Sequence, residues 1–384
     1  MLRSGTIWLL LVGLCVSLSW GASTSGVFKE MLSFIPDTPE SRREVYINKY
    51  YAAARAIGLA PPLPFAGEAI DYLLQINKYG ALPAGPYVSG YAFWSPEELN
   101  ARLLETAGYD LRTVSASISA GEPPSLYSAI VLDEAIDLNS IYAALQAHED
   151  WPSPAELTHD ENRILAWGED YATDFATRLQ PPVYDDLGRG ARLAFVGQVL
   201  CYTVWTDGVL AMVDAAQSGA ASLADVKAFR LMAEGLETLG VFGAYLTDDT
   251  FGQSANALMA SLGVDPDAVE RVCAEAMLHP FCAFAVGIGR DESGAFMGLV
   301  LVHQSESQAE ENGERFHQRL REGTSAASGK AWSKLFSPER LEIEVRDRAL
   351  LARVPIDPES AWLRWVLLRD PLLLHEDVGP CPEE

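Results

Sequence analysis

The sequence predicts an α+β protein made of repeated hairpin-plus-helix (ββα) units, with antiparallel strands and helices packed on one side of the sheet. The clearest unit runs from Cys282 to Gly323. Two apolar runs flank a polar connection that ends in Gly294, a composition typical of a hairpin turn. A helix beginning at Ser307 follows, with Glu310 in the position of a capping box. One stripe of this helix is apolar, so it needs a sheet to cover.

The same pattern recurs three more times, in residues 113–145, 191–216 and 341–366. Each copy buries one face of a hairpin under one helix, and the natural assembly of such units is an antiparallel sheet. The copies share little sequence identity, and their spacing is irregular. We therefore expect one mixed domain or two, and not a solenoid of short repeats.

The N-terminus has the order of parts of a secretory signal peptide, which we assign to residues 1–22. Arg3 precedes an apolar run from Ile7 to Leu18, and small residues follow it. The run is too short to span a bilayer comfortably, and no apolar run of about 18 residues occurs later in the chain. We therefore expect export to the periplasm or the exterior of a bacterial cell, with no membrane insertion after the signal is cleaved.

Four further elements are expected before the first unit. Val45 to Tyr50 alternates as a strand does, and the alanine-rich stretch from Tyr51 to Ile57 predicts a short helix that Gly58 ends. Two longer helices are predicted over residues 67–79 and 95–108 from their apolar spacing and capping residues.

A boundary between two halves is predicted at Gln180 to Gly190, where Pro, Asp and Gly are concentrated. The division gives an N-terminal α+β half over residues 23–185 and a C-terminal half over 186–384, which can also form one compact domain. Just after it, Gly197-Gln198 separates two apolar runs, as in a two-residue hairpin.

The charge of the chain is strongly one-sided. The 384 residues include 53 acidic and 28 basic ones, a formal net charge of -25. Such a chain repels nucleic acid and anionic lipid surfaces at long range, so neither is an expected partner. The segment from Ile130 to Gly190 is the most acidic, with 13 Asp or Glu and 3 Arg.

Four cysteines remain after the signal peptide: Cys201, Cys273, Cys282 and Cys381. An exported protein can form disulfides. The chain contains no CxxC pair, so the sequence predicts neither a zinc ribbon nor a thioredoxin-like redox motif. We expect Cys273 to pair with Cys282, since a predicted helix and strand bring them together around His279-Pro280.

Motifs for catalysis or cofactors are missing. Gly252-Gln253-Ser254 resembles part of a nucleophile elbow but lacks its closing glycine, and Gly287-Ile288-Gly289 ends a strand with no helix after it. No cofactor is expected. The triplets at His148, His159 and His375 each combine His with acids, but their spacing matches no known ligand pattern, so no metal site is expected either.

The predicted binding surface lies in the segment from Ile130 to Gly190. This segment combines acidic residues with tryptophans, and an exposed tryptophan beside carboxylates is a common sugar-binding arrangement. The candidate residues are Glu149, Asp150, Trp151, Trp167, Glu169 and Asp170.

Two classes of function fit these observations. The first is a noncatalytic binding or scaffolding protein of the bacterial cell envelope or exterior, with an unknown protein or glycan partner. The alternative is an exported hydrolase that acts on glycans through paired carboxylates, which needs only two carboxyl groups at a suitable separation. Convergence of these carboxylates in a deep pocket would favour the hydrolase, and scattered surface acids would favour binding.

Overall fold

A single antiparallel sheet is the centre of the molecule. The computed structural model describes residues 26–59, 75–76, 101, 109–122, 124–147, 153–176, 188–217, 219–254, 257, 277–325, 329–356 and 372–375. The strands within these residues are β1 Val45–Lys49, β2 Val114–Ala120, β3 Tyr127–Leu132, β4 Ala155–His159, β5 Asn162–Ala166, β6 Arg192–Val196, β7 Val199–Thr203, β8 Val241–Thr247, β9 Ala283–Asp291, β10 Gly294–Val302, β11 Glu342–Arg346 and β12 Ala349–Pro355. Their order in the sheet is β11-β12-β10-β9-β8-β1-β2-β3-β7-β6-β5-β4.

Helices cover both faces of this sheet. Those of the described residues are α1 Val27–Leu32, α2 Tyr50–Ala56, α3 Leu138–Ala147, α4 Thr206–Ala216, α5 Lys227–Leu239 and α6 Glu306–Glu322. Successive strand residues point to opposite faces, so the neighbours of each helix identify its side. Gly235 of α5 lies against Val300 and Leu351, whereas Gly313 of α6 lies against Ile343 and Leu350. We call the side of α5 the front face and the side of α6 the back face.

The expectation that the helices pack on one side is therefore wrong, and a repeated ββα unit is not confirmed. Helix α4 follows the β6–β7 hairpin onto the front face, where Asp214 reaches His159. Helix α3 follows the β2–β3 hairpin onto the back face, where Tyr142 packs on Phe195. Both faces of a sheet this wide are apolar, and each needs its own helices to exclude water.

The strongest sequence signal, the β9–β10 hairpin, is found with nine paired positions from Gly294–Asp291 to Val302–Ala283. Its helix α6 begins at Glu306, two residues earlier than a capping box of Ser307 and Glu310 would place it. The hydroxyl of Ser305 caps it by accepting from the backbone N–H of Gln308 at 3.3 Å. The choice between neighbouring serines depends on where the chain leaves β10, which the sequence pattern does not show.

A Ser222–Asp225 pair with the spacing of a capping box precedes helix α5. The Ser222 N–H and hydroxyl both donate to the Asp225 carboxylate at 2.9 Å. That pair closes a separate turn, and the helix starts at Lys227. The apolar stripe of α5 then covers β8, β9, β10 and β12 on the front face.

A buried ion pair joins α5 to the centre of the sheet. Lys49 at the end of β1 donates to Glu237 at 2.9 Å, and the other Glu237 oxygen accepts from the Phe28 backbone N–H at 2.9 Å. Burial lowers the pKa of Lys49, while the Glu237 carboxylate favours its charged form. One carboxylate therefore connects α1, β1 and α5.

Strand β4 is absent from the sequence-based expectations. All of its residues are exposed or half-buried, and within the described part of the chain it is an edge strand paired with β5 alone. Without an apolar alternation it carries no strand signal.

The sheet continues through both predicted halves of the chain. Strand β3 pairs with β7 across the proposed boundary, and β1 pairs with β8. The predicted helices over residues 67–79 and 95–108 and the signal peptide lie almost wholly outside the described residues. No helix in the described ranges is long and apolar enough to cross a membrane.

Candidate functional site

A polar cleft of about 550 Å³ opens on the back face, near the β4–β5 edge of the sheet. It lies between the N-terminus of α3, the start of β5 and the β6–β7 turn. The residues that line it are Glu134, Ala135, Ile136, Asp137, Leu138, Asn139, Glu161, Arg163, Phe195, Gly197 and Gln198.

The first wall of the cleft is the N-terminus of α3, which Asp137 holds in place. Its carboxylate accepts from the backbone N–H of Asn139 and from the hydroxyl of Ser140, both at 3.0 Å. These hydrogen bonds lower the pKa of Asp137, because they favour the charged form. An exposed carboxylate at a helix N-terminus is also favoured by the helix dipole. Asp137 therefore presents a fixed negative charge.

The opposite wall is the two-residue turn between β6 and β7. Gly197 has φ 57°, a left-handed conformation that glycine adopts without a steric penalty. The next residue, Gln198, donates to the carbonyls of Asp133 and Ile136, both at 3.4 Å. The turn thereby contacts the loop that carries Glu134, so hydrogen bonds join the two walls.

Among the described residues of the lining, Arg163 is the one basic side chain, and it already has partners inside the protein. Its Nη2 donates to the Asn139 side-chain oxygen at 2.7 Å, and its guanidinium lies 3.8 Å from the centroid of the Tyr142 ring. Tyr142 in turn donates to Glu156 at 2.7 Å. The guanidinium is thus oriented by a ring and an amide, and Glu134 and Glu161 are exposed residues of the same lining.

The residues predicted from sequence lie elsewhere in the same segment, and the structure does not bring the described ones into this cleft. Glu149, Asp150 and Trp151 lie outside the described residues. Trp167 is 1% exposed. Its ring is part of the core, so it offers no surface to a sugar.

Asp170 has a structural role. Its carboxylate accepts from the backbone N–H of Thr206 at 3.0 Å and from the Thr206 hydroxyl at 2.9 Å, at the start of α4. It also pairs with the buried Arg192 at 2.7 Å. Glu169 is exposed on the loop before it.

Exposed aromatic residues do occur on this loop, but they are not tryptophans. Tyr171 is 42% exposed and stacks on Trp205 with ring centroids 5.4 Å apart, and Phe175 is 65% exposed. Sequence reasoning missed both, although two aromatic residues within an irregular acidic stretch were a signal. It also missed Glu134 and Arg163, because nothing in the sequence shows that the loop after β3 faces β5.

The predicted pairing of Cys282 with Cys273 stays a prediction. Cys282 is disulfide-bonded. Cys273 lies outside the described residues. Cys201 is a buried free thiol on β7, and burial raises its pKa to about 12, so it is not a reactive nucleophile.

Comparisons with known proteins assign no family to this chain. No protein-family model matches the chain, and no curated protein matches it. Two solved structures, crystal forms I and III of TP0453, are 8% and 7% identical in sequence and cover 88% and 86% of this chain, or 96% and 95% of their own. Both have a TM-score of 0.39, which is too low to support any conclusion about this protein.

Proposed function

We propose that this chain is an exported, noncatalytic binding protein of the bacterial cell envelope or exterior, and that its back-face cleft takes a basic segment of a partner protein. The observation that carries the proposal is the charge of the cleft. Glu134, Asp137 and Glu161 contribute three carboxylates, whereas Arg163 contributes one guanidinium that Asn139 already binds.

The lining also suits the shape of a basic side chain. Lysine and arginine combine an apolar stem with a charged end group. The cleft offers apolar surface from Leu138 and the half-buried Phe195, beside the carboxylates of Glu134 and Glu161. The apolar stem of a lysine or arginine can pack on Leu138 and Phe195 while its charged end group contacts Glu134 and Glu161.

The acidity of the whole chain supports the same class of partner. A net charge of -25 attracts a cationic segment at long range and speeds its encounter with the cleft, most strongly at low ionic strength. The same field opposes nucleic acid and anionic lipids as partners.

The chemistry of the cleft gives less support to the alternative, a glycan hydrolase. A hydrolase of that kind needs a carboxylic acid that stays protonated near neutral pH, which requires a raised pKa. The pKa of Asp137 is lowered by its hydrogen bonds instead. Among the carboxylates predicted for that reaction, Asp170 is engaged by Thr206 and Arg192.

Fluorescence anisotropy with a labelled oligolysine peptide tests the proposal. The variant Glu134→Gln/Glu161→Gln removes two cleft carboxylates, and the control Glu234→Gln/Glu310→Gln removes two exposed carboxylates from α5 and α6. Both carry the same net charge, so any difference reports the cleft. We expect the cleft variant to bind at least about tenfold more weakly than the control, since each close charge pair contributes roughly 1 kcal/mol.

Equal affinity of the two variants would refute the cleft as the binding site. Release of reducing sugar from a polysaccharide by the wild type, and not by the cleft variant, would replace the proposal with the hydrolase.

A further inference from the structure

Three potential metal ligands meet where the β4–β5 hairpin approaches α4 on the front face. The His159 imidazole and the carboxylates of Asp160 and Asp214 each place one ligand atom within 4.8 Å of the other two. His159 Nε2 and Asp214 Oδ1 are 2.6 Å apart. The three residues belong to a strand end, a turn and a helix, so the group forms only in the folded protein.

The backbone around these ligands is well fixed. His159 ends β4 and pairs with Asn162 of β5. Asp160 has φ 51°, within the left-handed region that Asp tolerates better than most residues, as a tight hairpin turn requires. Asp214 lies in the last turn of α4, where its carbonyl accepts from the Gly219 N–H at 2.8 Å. Ligands on fixed elements need little reorganisation to bind an ion.

The donor set indicates the class of ion. An imidazole nitrogen with two carboxylate oxygens suits Zn²⁺ and related transition metals, whereas Ca²⁺ and Mg²⁺ prefer sites made of oxygen alone. With a neutral imidazole the group carries two negative charges, which a divalent cation neutralises.

We propose that His159, Asp160 and Asp214 form a binding site for a divalent transition-metal cation, of which Zn²⁺ is the best match. The side chains of His159 and Asp214 remain 31% and 40% exposed. A three-residue site this open leaves further coordination positions for water or for a donor atom of a partner. The ion would also join the edge hairpin to α4, since β4 pairs with β5 alone among the described strands.

A simple ion pair is the competing explanation of the same contact. The hydrogen bond to Asp214 favours the protonated form of His159 and raises its pKa. A metal ion must displace that proton, and its binding therefore releases protons and weakens as the pH falls. An ion pair alone shows neither effect.

A second histidine–carboxylate pair provides the control. His279 Nε2 lies 2.6 Å from Glu311 Oε2, the same separation as in the proposed site. Among the described residues, no third His, Cys, Asp or Glu completes this pair as a metal site. Nonspecific binding to an imidazole beside a carboxylate would use both pairs alike.

The test is isothermal titration of the mature protein with ZnCl₂, with MgCl₂ as a comparison, on the wild type, Asp160→Asn and His279→Gln. We expect one Zn²⁺ per chain with proton release, no competition from Mg²⁺, and at least about tenfold weaker binding by Asp160→Asn. Asparagine also tolerates the left-handed turn, so the melting temperature of Asp160→Asn without metal should stay that of the wild type. His279→Gln should bind as the wild type does.

Three results would overturn the proposal: no Zn²⁺ binding by the wild type, unchanged affinity of Asp160→Asn, or equal loss of affinity in His279→Gln. None of them bears on the cleft, because the oligolysine experiment uses other residues on the other face.

Discussion

Acid should destabilise this protein through one buried histidine, His303, which lies just after β10 and is fully buried. Its Nε2 is 2.7 Å from the side-chain nitrogen of Asn312 on α6. Asn312 is itself oriented by His279, whose N–H donates to Asn312 Oδ1 at 2.6 Å and whose carbonyl accepts from Nδ2 at 2.8 Å. Because Nδ2 can only donate, the hydrogen-bond network assigns Nε2 as an unprotonated acceptor.

The pKa of His303 follows from this environment. Burial lowers it from 6.5 to about 4, and bonds to the carbonyls of Arg348 and Leu301 oppose the shift only in part. A histidine whose pKa is lower in the folded state stabilises the protein above its unfolded pKa. That contribution is lost as the pH falls toward the folded pKa.

The magnitude can be worked out from the two pKa values. A shift of about 2.5 units corresponds to about 3.4 kcal/mol in full, of which about 2.5 kcal/mol is lost on going from about pH 7.5 to about pH 4.5. Replacement by glutamine keeps an acceptor for Asn312 and removes the titration.

Urea unfolding followed by tryptophan fluorescence measures the effect at both pH values. Carboxylates also titrate in this range, but they do so in both proteins, so the difference between wild type and His303→Gln isolates the histidine. We expect the free energy of unfolding of the wild type to fall by about 2.5 kcal/mol more than that of the variant. Parallel pH profiles of the two proteins would refute the assignment of a buried neutral imidazole.

Two further predictions concern charged residues. Glu237→Gln should lower the free energy of unfolding by about 2 to 4 kcal/mol, because it leaves the buried Lys49 without its carboxylate, whereas the exposed Glu234→Gln on the same helix should change it by less than about 0.5 kcal/mol. Equal effects in urea titrations would contradict this. Burial raises the pKa of Asp248 to about 6, so the stability gained from its protonated form is present below about pH 4 and lost as the pH rises through 6. Asp248→Asn should therefore raise the melting temperature at pH 8, equivalent to about 1 to 2 kcal/mol after allowance for its 31% exposure, and have no effect near pH 4. A lower melting temperature at pH 8 would show that the ion pair with Arg42 outweighs burial.

The sequence by itself determined most local structure. The alternation in β1, the Gly197 turn between β6 and β7 and the apolar runs of the β9–β10 hairpin were each sufficient, because strand and turn preferences act over a few neighbouring residues. The α+β class followed from these elements.

Only the tertiary structure decided which side each helix covers and which residues form a site. The direction in which the chain leaves a hairpin places α4 on the front face and α3 and α6 on the back face, and no local pattern encodes that direction. Edge strand β4 carries no apolar alternation to reveal it. Trp167 lies in the core while Glu134, Glu161 and Arg163 share a cleft. Burial and proximity arise from pairings between residues far apart in the chain. Composition could therefore indicate the acidic segment, whereas only the sheet register shows which of its side chains meet.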